Sequence, residues 1–583
     1  MAPDSIAIDL SETLRETSDG SSRERYAILA REYATRVRAL TNPGPSQPIY
    51  SSDDLRGLAD FLLQPYISRP PASNIHPSSG ANDKASASPF ASLYQYNQSR
   101  ESFDRLDFTT IPEFIGLGKS VLPANESFAF LLLQGYPSSD WINTIGGRFD
   151  IDPKFFQRHL PQSLDSKSPN TRILPSCHNN MMSLPITTVG FRQCDGNATD
   201  PCKQENLDKL RQDQSHRMQE YMSKIARLNS ADVAPGDPII RECHVHGPNY
   251  FSLRQRLSLH FHPLRHGYGW MGIFWYDGEC QEGSSLKGPW LNDTLRENSW
   301  SVKLLPASLN KPRQHGKHRK RKAKDNSVQS PAATKIEIIL NDYGREVDLE
   351  RASMDPFYAF SPFFELSVHL EMGALGMIDA EIQEELKHSK MIDDERPTLS
   401  NLLYNQQILK HQNREIRGLV NFMEGLAKRP WTGSTGSRRR SAIDEDTITA
   451  MLDDYHATLA HAESLIEECN QGMTIVAHNA TIQESRKAMT EARGVAKLTQ
   501  LAFIFIPASF VTAVFSMSVK ELNINDGPSI WTWAVVVGVV WVITLLYFKR
   551  SVLRIVRRAG WKCLAICGYR KERWSANDTL SGE

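Results

Sequence analysis

The sequence predicts an α+β domain on the cytosolic side of a membrane, then long stalk helices, then a C-terminal two-span α-helical transmembrane hairpin. Three observations carry that reading. Residues 498–517 and 530–548 contain no Asp, Glu, Lys or Arg, and each run is about the twenty residues that a helix needs to cross a hydrocarbon core of roughly 30 Å. The stretch before the first run keeps helical apolar spacing without a proline. The middle of the chain is a series of strand-like runs separated by polar loops.

Taken in order, residues 1–106 read as largely disordered, because "PPASNIHPSSGANDKASASPFAS" is polar and rich in Pro and Ser. An α/β domain is expected over 107–370. "SFAFLLLQGYP" reads as a buried strand, "SSDWINTIGGRF" as a Ser-capped helix and "IDPKFFQRHL" as a short helix with proline in its first turn. "NMMSLPITTVGF", "FSLRQRLSLHFHP", "YGWMGIFWYDG" and "WSVKLLP" read as strands, the second with the alternation of a half-exposed one. A basic disordered insertion near 311–330, "KPRQHGKHRKRKAK", is a solvated loop or a contact for anionic lipid headgroups.

A helical stalk follows over 371–497, with a hinge near 430–440. "RPTLSNLLYNQQILKHQNREIRGLVNFMEGLAKRP" is amphipathic and ends at Pro430. "WTGSTGSRRR" turns the chain back. From Ser441 onward, apolar residues recur at Met451, Tyr455, Leu459, Leu465, Cys469, Met473 and Val476. A helix running on to Ser518 would span about 115 Å at 1.5 Å per residue, and needs neighbours along that stripe.

The membrane part divides into a first span at 498–518, an outer loop at 519–529, a second span at 530–548 and a basic tail at 549–583. Arg486, Lys487, Arg493 and Lys497 precede the hairpin, and Lys549, Arg550, Arg554, Arg557, Arg558 and Lys562 follow it. The loop sets only Lys520 against Glu521 and Asp526. The positive-inside rule then puts both termini in the cytosol, and leaves plasma and vacuolar membranes equally open.

With 67 basic and 67 acidic side chains the formal charge is zero, which argues against a nucleic-acid partner. The 8 cysteines form no dense framework, so reduced thiols are expected. No nucleophile, phosphate loop or catalytic dyad stands out, so no enzyme and no firm cofactor is inferred. The pairs His244/His246 and His260/His262 are the one metal-like cytosolic signal: in a strand each pair faces one side, and two pairs together could complete a zinc site. Packing histidines are the plainer reading.

The stretch "LTQLAFIFIPASFVTAVFSM" with "GPSIWTWAVVV" behind it, the long preceding helix and the tiny outer loop resemble the CorA family of magnesium transporters. "FLLLQGYPSSDWINTIGGRFDIDPKFFQRHL" resembles its large fungal branch. The resemblance implies a homopentamer in the bilayer, a pore lined by the first span, and Mg2+ or another divalent ion as transported and regulatory ion. The family closes this span with Gly-Met-Asn, where Ser516, Met517 and Ser518 stand here. A Ser518 ring still offers acceptors to a hydrated ion, but makes a wider mouth. Carried inward by helical spacing, the implied pore face is Ala513, Ser509, Ile506, Ala502, Leu498 and Val495, with Glu521 and Asp526 attracting cations outside. Two alternatives stand beside conduction of Mg2+: a non-conducting membrane scaffold or sensor on the same fold, and Zn2+ transport as in the ZntB branch.

Overall fold

The computed structural model describes residues 19–41, 55–67, 89–97, 102–116, 127–160, 180–193, 204–226, 235–263, 269–278, 301–304, 335–389, 398–428, 442–516, 531–544 and 546. The expected basic insertion, the 430–440 hinge, the outer loop and the basic tail lie outside them. The chain falls into two units, Met1–Val476 and Ala477–Glu583.

The first unit is an α+β domain. Helices α1 (Asp19–Thr41) and α2 (Arg56–Ile67) come first, then β1 (Ala91–Asn97), β2 (Ser102–Phe108), α3 (Ile111–Ile115), β3 (Ser127–Gln134), α4 (Ser139–Phe149) and α5 (Pro153–His159). Next are β4 (Met181–Gln193), α6 (Gln204–Ala226), β5 (Glu242–Val245), β6 (Tyr250–Pro263), β7 (Gly269–Tyr276) and β8 (Ser301–Leu304). The remaining elements are helices: α7 (Lys335–Glu346), α8 (Leu349–Met354), α9 (Pro356–Ala359), α10 (Ser361–Ser389), α11 (Thr398–Lys428) and α12 (Ala442–Ser516).

The strands form one sheet in the order β2-β1-β3-β7-β6-β4-β8, with β5 added to β6. Of the pairings, β3 with β7 is parallel. The run "SFAFLLLQ" explains the central place of β3. Its side chains alternate between two cores: Phe128, Phe130 and Leu132 enter one, Ala129, Leu131 and Leu133 the other. Each buried Phe or Leu contributes about 1.5–3 kcal/mol, so such a strand belongs where helices cover both faces. Residues of α1, α2, α4 and α5 fill the second core, and residues of α7 to α12 the first.

The local expectations for α4 and α5 hold. Ser138 accepts from Trp141 N at 3.3 Å, and Asp152 caps α5 with Pro153 in the first turn. The expectation for 1–106 does not hold across its described residues, since α1 and α2 are folded and β1 and β2 belong to the sheet. Tyr33 and Leu62 are fully buried. The signal was hidden because α1 contributes few apolar residues and relies on close approach. A Cβ on Gly146 would lie 2.5 Å from the Tyr33 ring, and one on Gly147 2.7 Å from Leu29 O. The "GG" in α4 is therefore the footprint of α1.

The second correction concerns β6. Its polar alternation suggested a solvent-facing side, yet Ser252, Arg254, Gln255, Ser258 and His260 are buried. Both faces of this central strand are covered, and other elements supply the partners of its polar side chains. Ser252 meets His246, Arg254 meets Glu415, Gln255 donates to Ile239 O and Gly278 O, Ser258 meets His159 and His260 meets Asn180 O, so the buried polar groups are satisfied. The expected boundary at 370/371 falls inside α10. α11 and α12 run antiparallel, as expected: Gln406 meets Asn470 and Arg417 meets Glu463.

In the second unit, α12 runs on to Ser516 with Pro507 inside it, and α13 covers Trp531–Thr544.

Candidate ion pathway

Among the described residues, one helix is long and apolar enough to cross a membrane, Ile448–Ser516, through its C-terminal end. α13 is apolar but covers about 21 Å at 1.5 Å per residue, short of the roughly 30 Å of a hydrocarbon core. The second half of the hairpin is thus described only in part.

α12 carries the positions that helical spacing assigned to the pore face, and Ser516 beside them. At 100° per residue, Val495, Leu498, Ala502, Ile506, Ser509, Ala513 and Ser516 lie within about 80° of one another. Val495, Leu498 and Ile506 are 63%, 69% and 65% exposed. Ser509, Ala513 and Ser516 are exposed and Ala502 is half-buried. Ser509 Oγ donates to Ile506 O at 2.9 Å, which spends its proton on the helix. Its two lone pairs stay free to accept from an ion's waters. Met517, Ser518, Glu521 and Asp526 lie outside the described residues.

The histidine pairs are not brought together. His244 stands opposite Ser252 on β6, and His260 lies further along the same strand, about 27 Å away at 3.4 Å per residue. His246 uses both ring nitrogens, at 2.9 Å from Asn405 Oδ1 and 2.8 Å from Ser252 Oγ. His244 Nε2 is 3.1 Å from Glu242 Oε2. His260 Nδ1 meets Asn180 O at 3.2 Å. Burial, reinforced by His262, pushes His260 down to about 3. Among the described residues no three His, Cys, Asp or Glu side chains are grouped as metal ligands. The shared four-ligand zinc site is therefore corrected to two separate sets of histidines, of which His244, His246 and His260 are hydrogen-bonded to Glu242, to Asn405 and Ser252, and to Asn180.

Sequence reasoning missed the buried charges of the first unit. Arg241 Nε donates to Asp277 Oδ2 at 2.6 Å and its Nη2 to Oδ1 at 2.8 Å. Arg256 N donates to Asp277 Oδ2 at 2.6 Å. His159 Nε2 lies 3.1 Å from Asp277 Oδ1 and its Nδ1 2.9 Å from Ser258 Oγ. Burial pushes the Asp277 carboxyl up, but Arg241 and His159 outweigh it and hold it at about 2. Burial brings His159 down to about 4 against the pull of Asp277, so at neutral pH the charge facing Asp277 is Arg241. A second group joins Arg254 to Glu415 and, at 3.8 Å, to Glu371, which also accepts from Thr187. Burial raises Glu371, offset only in part by Arg254 and Thr187. In sequence these residues are single polar or charged side chains scattered from the end of α5 through β4 and β6 and the residues flanking β5 and β7 to α10 and α11. Only the placement of "RQRLSLH" between apolar strands could have hinted at them.

Among the solved structures similar to this chain are two of full-length proteins. The full-length CmaX protein aligns with a TM-score of 0.34 and 11% identity, over 80% of this chain and 99% of that one. The CorA magnesium transporter from Methanocaldococcus jannaschii aligns with a TM-score of 0.37 and 9% identity, over 79% of this chain and 98% of that one. No curated protein sequence matches. Residues 374–550, which hold most of α10, all of α11 and α12 and the described part of the hairpin, match the family model described as CorA-like Mg2+ transporter protein.

Proposed function

We propose that this chain is a membrane transporter of CorA type that conducts Mg2+ or another divalent ion through a homo-oligomeric pore, with both termini cytosolic. The observation that carries the reading is the coincidence of two features. The segment matched by the family model includes an uncharged helix end, and that end presents a regular exposed stripe with a hydroxyl at Ser509 and another at Ser516. A ring of each hydroxyl, and of Ser518 beyond, accepts hydrogen bonds from the ion's retained waters, because Mg2+ dehydrates reluctantly. Rings of Ile506, Leu498 and Val495 form an apolar constriction that gates by dewetting. Glu521 and Asp526 raise the local cation concentration at the mouth. A divalent ion crossing the field gains about 4.6 kcal/mol per 100 mV, which drives uptake without chemistry.

The test is ion flux into liposomes holding the purified protein, under an imposed potential, with Mg2+ and Zn2+ compared. Potential-dependent uptake is expected. A cysteine at Ser509 is expected to react with water-borne thiol reagents. Absence of flux for every divalent ion, together with a thiol at 509 that never reacts, overturns conduction. That outcome favours the membrane scaffold, the reading that the Ser-Met-Ser mouth supports.

A further inference from the structure

We propose that the first unit holds a binding site for a nucleotide-sized organic phosphate, in a cavity between β4, β6, α5 and α11. The cavity measures about 620 Å³, within the range of small-molecule sites. Its wall carries four guanidinium groups, Arg158, Arg241, Arg254 and Arg256, against two carboxylates, Glu242 and Glu415.

Two of those arginines are already matched. Arg241 is held in a two-point pair by Asp277, and Arg254 by Glu415 and Glu371. Arg256 is not. Its side chain donates from Nη1 to Arg158 O at 2.9 Å, and among the described residues no carboxylate pairs with it. Among the described residues its Nε and Nη2 have no hydrogen-bond partner. Burial, then the neighbouring Arg241, brings even this guanidinium down to about 10. Asp277 and Glu415 act on Arg256 without contacting its guanidinium, so a half-buried cation beside Arg241 has room for a counter-anion in contact. The planar fork of Arg256 suits a phosphate or carboxylate, and Arg158 adds a second positive group.

The remaining walls choose among anions. Phe155, Met222, Leu419 and Phe422 offer apolar surface, and methionine with phenylalanine adapts to a flat ring. Glu242 is held ionised: burial raises it, but His244 and Arg254 outweigh that and set it at about 2. Glu242 therefore repels a bare polyanion and accepts hydrogen bonds from hydroxyl or amino groups. A cavity that offers guanidinium groups, a carboxylate acceptor and apolar side chains together matches the phosphate, hydroxyls and ring of a nucleotide.

The experiment uses the full chain in detergent micelles with EDTA, so that no Mg2+–nucleotide complex contributes. ADP and inorganic phosphate are titrated by calorimetry. ADP is expected to bind saturably and more than about tenfold tighter than phosphate, a gap of about 1.4 kcal/mol. Arg256→Gln is expected to weaken ADP at least tenfold. Gly418→Trp is the folding-safe control: Gly418 lines the cavity, and a Cβ there meets nothing within 4 Å. It fills the space and leaves every charge in place, and is expected to abolish ADP binding with an unchanged melting temperature. No saturable ADP binding, ADP binding unaltered by Gly418→Trp, or phosphate binding as tight as ADP each overturns the proposal.

Discussion

Asp277→Asn is the sharpest probe of the buried charge system. Asp277 is fully buried and accepts from Arg241 twice and from Arg256 N once. Asparagine has nearly the same shape, yet it removes the charge and turns an amide donor toward donors. Arg241 is then a mostly buried cation without its anion. Removing one partner of such a pair costs about 3–5 kcal/mol. At about 2 °C per kcal/mol, the low end of the scale because the unit is large, the melting temperature falls by roughly 6–10 °C. Tryptophan fluorescence reads it directly, because the Trp275 ring stacks on His159 with centroids 4.1 Å apart. The double variant Arg241→Leu with Asp277→Leu is expected to recover at least half the loss, since an apolar pair leaves no charge stranded. A fall of under about 2 °C in the single variant, with the fluorescence spectrum unchanged, would refute the claim that this pair is held dry and matched.

Other outcomes follow from the same geometry. Burial sets His159 at about 4 when folded, below its ordinary value. Stability is then full above about pH 6.5 and falls by roughly 3 kcal/mol as pH drops to 4, a slope that His159→Gln removes in acid-denaturation curves. The Asp277 contribution persists to lower pH, fading only from about 3.8 toward 2. Gly146→Val drives a side chain into the Tyr33 ring, costs about 1–3 kcal/mol, and exposes 19–41 to limited proteolysis; resistance equal to wild type would contradict the packing of α1. On the proposed pore, Leu498→Ser with Ile506→Ser is expected to wet the constriction and raise resting divalent leak several-fold in liposome flux. Ser516→Gly with Ser518→Asn narrows the ring and raises Mg2+ flux relative to Zn2+; an unchanged ratio removes the mouth from selectivity.

What the sequence disclosed depended on how local the cause was. β3 was legible because six consecutive apolar residues, Phe128 to Leu133, make a buried strand. α4 and α5 were legible through Ser138, Asp152 and Pro153, whose effects reach one turn. α12 was legible because its apolar spacing persists through Val476. α1 was not, since Ala30, Tyr33, Ala34 and Val37 make a thin stripe whose complement, Gly146, lies more than a hundred residues away. β6 misled for a related reason: period-two polarity states which side chains share a face, but not whether that face meets water. Arg254 finds Glu371 on α10 and Glu415 on α11, and no window of sequence contains all three. The pore stripe was legible as helical phase alone; which medium it faces depends on neighbours that one chain does not supply.

That last dependence sharpens the argument about the membrane helix. Small and hydroxyl side chains, Ala502, Ser509, Ala513 and Ser516, share the stripe, whereas Phe503, Phe510 and Val514 share the adjacent face. Such a division has two physical causes. Small residues let helices approach closely in a bilayer, and they also leave room for water along an axis shared by several helices. The two causes differ in what they require of Ile506 and Leu498. A close helix contact built on small residues is spoiled by two long branched side chains on the same line, whereas a pore uses them as its closed constriction. Large side chains stand on the stripe at Val495, Leu498 and Ile506, and small ones at Ala502 and from Ser509 to Ser516, so a thiol at position 509 discriminates the two causes.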